Sequence, residues 1–247
     1  MNETNQPFFI LGAPRSGTTL LRDIMKSHDR LTSPEETFYF RWPYPFGSTE
    51  YVNTCHNNPT LRAHRKLDGM NEETFRQALS RASSRKDIMD FHGGFVAEKQ
   101  GKPRWFDKTP QNVYGAIMIA GYYPDSKFIC IRRHPLNVAA SLIEGRQLKV
   151  PGIEGAIGYW VESAIIMLEF QKLYPDRLIN VQYEDLTCSP EATVQTILTR
   201  LNERSEGLTF SWDTIHAEQN RYERVLTTDQ IDQVLQGTAE LRSLTGY

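Results

Sequence analysis

Phe8-Phe9-Ile10-Leu11 is an unbroken apolar run of strand length, and the pattern returns at Lys127–Ile131 and Leu178–Val181. Unbroken rather than alternating apolarity predicts strands covered on both faces, as in a parallel sheet. A shorter strand is expected at Leu31-Thr32. Helical segments fall between these runs. Leu20–Met25 reads as the opening of a helix directly after the first strand. Ile157, Trp160, Ala164, Met167 and Leu168 recur at helical spacing in a long helix over 155–174. Further helices are expected over 71–99 in two pieces with Asn71 as N-cap, over 110–122 with Pro124 as its stop, and from Pro135 to about Gly145. Two more are expected over 190–202 and 228–244. Strands alternating with helices predict an α/β fold, a P-loop-like three-layer α/β/α arrangement around a mostly parallel sheet. The stretch from Phe38 to Tyr51 breaks the rhythm. Seven aromatic residues crowd it, and Pro43, Pro45 and Gly47 argue against a regular helix there. Residues 1–247 are read as one domain, with 38–102 as an insertion within it.

Composition mainly excludes. With 39% apolar and 23% charged residues the chain has the balance of an ordinary globular protein. A formal net charge of -2 gives no overall attraction to nucleic acid or membrane surfaces, so any anion site must be local. No nucleic-acid partner is expected. No run approaches the roughly 20 apolar residues of a membrane span, and Met1–Gln6 lacks the basic and apolar regions of a secretory signal. Cys55, Cys130 and Cys188 are too scattered for a disulfide framework or a zinc site. The expectation is a cytoplasmic protein without a membrane span.

The chemistry concentrates in Gly12–Thr19, Gly-Ala-Pro-Arg-Ser-Gly-Thr-Thr. A strand, a glycine-containing loop and a helix N-terminus form an anion cradle, where backbone N–H groups and the helix dipole converge. Gly17 lets the backbone approach an anion, and Ser16, Thr18 and Thr19 add hydroxyl donors. The alternative is a plain strand–helix turn with a threonine N-cap. The loop nearly matches the triphosphate P-loop, but Thr18 stands where that pattern has Lys, and the basic residue comes earlier, at Arg15. The next apolar strand runs into Arg132-Arg133-His134-Pro135, where a nucleoside triphosphatase usually has a magnesium-holding Asp. Arg133 suits bidentate contact with a phosphate, and Ser141 could reach the same group. Lys108, in Asp107-Lys108-Thr109-Pro110, offers a second cation. Ser33-Pro34-Glu35-Glu36 reads equally as a capping box, with Glu36 satisfying helix donors, or as a general base at Glu36 beside the loop.

These segments, with Tyr-Glu-Asp-Leu at 183–186 and Leu-Thr-Gly-Tyr at 244–247, resemble in content and order the sulfotransferases that use 3′-phosphoadenosine 5′-phosphosulfate (PAPS). The pattern looks closest to the bacterial and tyrosylprotein branch. The resemblance implies transfer of a sulfuryl group from PAPS to a hydroxyl or amine, releasing 3′,5′-ADP (PAP), without a metal. It implies that Arg15, Ser16, Gly17, Thr18 and Thr19 hold the 5′-phosphosulfate and that Arg15 and Lys108 stabilise the sulfuryl group and leaving oxygen. It further implies that Arg133 and Ser141 bind the 3′-phosphate, that Tyr183 lies near the nucleotide, and that Glu36 is the base. Glu35 against Glu36, and Arg132 against Arg133, stay open, and His56, His64 or His92 is an alternative base. The acceptor is a small molecule or a peptide tyrosine, a homodimer is allowed, and residues 38–102 with the 145–154 loop are expected to shape the acceptor pocket. The rival readings are a P-loop kinase or triphosphatase and a non-catalytic nucleotide-binding protein.

Overall fold

The computed structural model describes residues 5–145, 148, 150–217 and 220–247. The sheet is built from β1 (Phe8–Leu11), β2 (Leu31–Thr32), β3 (Arg104–Lys108), β4 (Phe128–Arg132) and β5 (Leu178–Gln182). Their order is β2-β3-β1-β4-β5, and every neighbouring pair is parallel. The expected α/β architecture is therefore present.

Alternation along the strands feeds a core on each face. Phe8, Ile10, Ile129, Ile131, Ile179 and Val181 pack with Leu21, Ile24 and Met25 of α1 (Thr18–Lys26) and with Val194 and Ile197 of α10 (Pro190–Arg200). Phe9, Leu11, Phe128 and Cys130 join the opposite core with Ile88 and Met89 of α5 (Arg85–Gln100), Ile119 of α6 (Ala116–Tyr122), and Met167 and Phe170 of α8 (Ile153–Leu173). Coverage on both faces is why these strands read as unbroken apolar runs. A third cluster ties α8 to α7 (Pro135–Ile143) and α12 (Thr228–Thr245) through Leu142, Trp160 and Val234. No helix among the described residues is long and apolar enough to cross a membrane.

The strand that the apolar pattern does not show is β3. Arg104, Asp107 and Lys108 make it look like a loop, yet the whole strand is buried. Each charge is matched. Arg104 donates to the carbonyls of Gln6 and Leu201 and to Glu203 Oε1 at 2.6, 2.9 and 2.9 Å. Buried charges are tolerated when they are paired and hydrogen-bonded.

Residues 38–48 are non-helical, as the prolines predict, but helices follow sooner than expected: α2 (Thr49–Asn57) and α3 (Pro59–Asp68) precede α4 (Glu72–Arg81). Asn58 separates α2 from α3 and caps the latter, its Oδ1 accepting from the Thr60 and Leu61 amides at 3.0 and 3.2 Å, with Pro59 as first helical residue. Within the proposed insertion, α5 packs on the sheet beside β3. The helix expected over 110–122 opens as a tighter 3-10 turn, Pro110–Gly115. Short α9 (Tyr183–Cys188) continues directly from β5.

Candidate active site

Parallel register brings the carboxyl ends of the central strands to one edge. Ile10 of β1 lies beside Lys108 of β3 and Ile129 of β4. The loop 12–17, Lys108, Arg133 and Tyr183 therefore leave the sheet on the same side, where open α/β sheets bind ligands.

Glycines set the loop. A Cβ on Gly12 would stand 2.6 Å from the Ile131 carbonyl oxygen, so the loop closes tightly on β4. Gly17 has φ +90°, and a Cβ there would fall 2.1 Å from Tyr183 Cδ2. Gly17 is itself the N-cap of α1 and offers no side chain to the helix start, so the threonine-cap alternative does not hold. The first intrahelical bond runs from the Leu21 amide to the Gly17 carbonyl at 3.1 Å. The amides of the first turn are left to a ligand.

The loop borders a cleft of about 970 Å³. Arg15, Gly17, Thr18, Thr19, Glu36, Lys108, Arg133 and Ser141 all line it. Lys108 Nζ donates to Glu36 Oε1 at 2.5 Å and approaches Thr19 Oγ1 at 3.5 Å. Arg15, with φ +72°, donates from Nε to Ser141 Oγ at 2.9 Å. Arg133 donates to the Arg15 carbonyl at 3.0 Å, and its guanidinium lies 4.4 Å from the centre of the Tyr183 ring. Two sequence-predicted residues do not line the cleft. Ser16 is buried beneath the loop, its amide bonded to the Ala13 carbonyl at 3.2 Å. Tyr183 packs behind Gly17 and Arg133.

Glu36 is not a helix cap. No helix follows Ser33, whose hydroxyl donates to the Pro34 carbonyl at 2.7 Å. The extended segment is pinned instead by its neighbours. The Thr37 amide donates to Thr109 Oγ1 at 2.8 Å, and the Thr37 hydroxyl to Asp107 Oδ1 at 2.9 Å. His64 Nδ1 bonds the Glu36 carbonyl at 2.8 Å. Glu35 also lines the cleft but has different partners from Glu36. The Glu35 carboxylate pairs with Arg22 Nη1 at 2.9 Å, and its amide donates to Asp68. Arg132 is separated from Arg133 likewise. It reaches Gln171 at 3.2 Å and is absent from the cleft wall. Of the alternative histidines, His64 lines the cleft. His92 is buried between Tyr39 Oη and Asp68 Oδ2, each at 2.8 Å, and His56 stands outside the cleft wall.

Asp107 is a positioning residue that the sequence reading passed over, although it sits next to Lys108. Fully buried, it accepts from Thr37 Oγ1, Thr109 Oγ1 and Asn112 Nδ2 at 2.9, 3.1 and 2.9 Å. Burial pushes its carboxyl pKa up, while those hydrogen bonds and the Lys108 charge pull the other way. Asp107→Ala strands these donors and is expected to cost about 3 kcal/mol. At roughly 2–4 °C per kcal/mol for a chain of this size, a thermal melt should show Tm falling by about 6–12 °C. An unchanged Tm would contradict this role.

Residues 7–206 match the family described as Sulfotransferase family. The chain is 27% identical over 241 residues to a putative protein-tyrosine sulfotransferase of Caenorhabditis briggsae, covering 94% of this chain and 78% of that one. It is 26% identical over 247 residues to an uncharacterized protein of Aquifex aeolicus (strain VF5), covering 95% of this chain but only 29% of that longer protein. Among solved structures, the sulfotransferase domain from the Synechococcus PCC 7002 olefin synthase aligns with a TM-score of 0.68 at 22% identity, covering 100% of this chain and 96% of that one.

Proposed function

The chain belongs to the sulfotransferase family, and from that premise we propose that it moves a sulfuryl group from PAPS to an acceptor hydroxyl or amine. The first-turn amides of α1, the Thr18 and Thr19 hydroxyls and Arg15 take the 5′-phosphosulfate. Arg133 and Ser141 take the 3′-phosphate. Tyr183 acts through other groups, holding Gly17 and Arg133 in place. The acceptor oxygen attacks sulfur in line as the bond from sulfur to the 5′-phosphate oxygen breaks. The acceptor proton passes to Glu36, and 3′,5′-ADP leaves with its developing charge met by Lys108. Like phosphoryl transfer, this step needs positioning and charge stabilisation rather than a covalent intermediate.

The observation that carries this reading is the Glu36–Lys108 contact of 2.5 Å on the wall of the cleft that the open start of α1 also borders. A base and an electrophilic cation meet beside an anion cradle. Thr18 stands where the kinase pattern places a lysine, and Arg132-Arg133 where it places a metal-holding carboxylate; with Arg15 and Lys108 supplying the positive charge, the reading uses no metal. The test is release of 3′,5′-ADP from PAPS, followed by chromatography against a panel of phenols, alcohols, amines and tyrosine peptides. Acceptor-dependent release supports the reading. Acceptor-dependent, magnesium-requiring release of adenosine 5′-diphosphate from ATP, with no turnover of PAPS, would support a kinase.

A further inference from the structure

Part of the cleft wall is not built for an anion. Thr60, Ala63, His64 and Leu67 all line the cleft, and their spacing puts them on one face of α3. Leu67 is 72% exposed. Phe38 and Trp42 face the same space, with the Phe38 ring stacked on His64 at 6.1 Å between centres. A leucine left this open on a cleft that two aromatic rings also line adds apolar wall to a binding space, unlike a lone surface leucine.

The charges in the cleft point the same way. Arg15 and Arg133 stand at the loop end, Lys108 is on Glu36, and Arg22 is held by Asp23 and Glu35. No Lys or Arg is among the described residues that line the cleft along α3 or at Phe38 and Trp42, so an anionic acceptor would meet no paired cation there. The start of α3, another place for an anion, is closed by its own cap, Asn58. We infer that the acceptor is a neutral molecule that presents a hydroxyl to Glu36 and lays an aryl or alkyl body along Phe38, Trp42 and Leu67. This rests on the donor reading above and narrows it, setting acidic tyrosine peptides and sugars aside. The chemistry balances as before: the acceptor O–S bond forms, the S–O bond to the 5′-phosphate breaks, and the acceptor proton goes to Glu36.

The test is calorimetry on the whole chain with saturating 3′,5′-ADP, titrating 2-naphthol, 1-octanol, an acidic tyrosine peptide and glucose. Turnover of each with PAPS is then measured. Naphthol and octanol are expected to bind and react, with the peptide and the sugar at least about tenfold weaker. Leu67→Asp, on an exposed position, should weaken naphthol binding and raise its KM about tenfold, leaving 3′,5′-ADP affinity unchanged. Preference for the peptide or the sugar, failure of both alcohols to bind the 3′,5′-ADP complex, or indifference to Leu67→Asp would overturn the inference and leave the donor reading standing. Failure of the unaltered protein to bind 3′,5′-ADP would overturn both.

Discussion

Lys108→Ala is expected to lower kcat by about 10²–10³-fold while 3′,5′-ADP binding stays within a few-fold of normal. Lys108 closes β3 with its side chain 2% exposed, and its ammonium is directed at Glu36 Oε1. In the proposed reaction, charge developing on the leaving oxygen meets a cation already held in place on a buried side chain. That preorganisation makes one donor worth several kcal/mol in a transition state. The proposed nucleotide anchors, Arg133 and Ser141, are unchanged, so product binding should survive. Lys108→Arg should not restore the rate, because a planar fork does not replace a buried point charge. Single-turnover rates with saturating PAPS, beside calorimetry with 3′,5′-ADP, separate these effects. Near-normal turnover in Lys108→Ala would remove Lys108 from the reaction.

Glu36→Gln is expected to lower kcat by about 10²–10⁴-fold, again with 3′,5′-ADP affinity retained. The amide keeps the shape of the side chain but cannot take the acceptor proton. In the resting structure Lys108 holds Oε1, and Oε2 accepts no hydrogen bond from the described residues. In the proposed reaction, donor binding gives Lys108 a second anion to serve and leaves Glu36 to take the acceptor proton. Glu35→Gln is the control. It loosens a part-buried ion pair with Arg22, for which about 1 kcal/mol is expected, and turnover should change little. A Glu36→Gln protein that keeps its rate would move the base elsewhere, with His64 next to be tested.

The parts of this picture that were legible in the sequence are those where one physical signal dominates. Phe8–Leu11 and Phe128–Ile131 announce buried strands because they lie inside a sheet covered on both faces. β3 did not announce itself, because the satisfaction of Arg104, Asp107 and Lys108 depends on Glu203, Thr37 and Glu36, all far away in sequence. The same holds for Glu36. Ser33-Pro34-Glu35-Glu36 fits a capping box locally, and only the pinning of Thr37 to Asp107 and Thr109 keeps the segment extended. Arg133 and Arg132 are equivalent in composition and are told apart by where the strand ends, Arg132 being the last residue of β4 and directed to Gln171. The apolar wall on α3 was hidden for a related reason, since its helix was not foreseen ahead of the predicted pair over 71–99.

A thermal melt of the protein with 3′,5′-ADP, ATP or 5′-AMP, each with and without magnesium, tests the nucleotide reading on which these assignments rest. A ligand that binds only the folded state at about 100 times its Kd adds about 2.7 kcal/mol, or roughly 5–10 °C in Tm at this chain length. The site described here predicts that rise with 3′,5′-ADP in the absence of magnesium, little or none with 5′-AMP, and its loss in Arg133→Ala. A rise with ATP and magnesium, and none with 3′,5′-ADP, would contradict it.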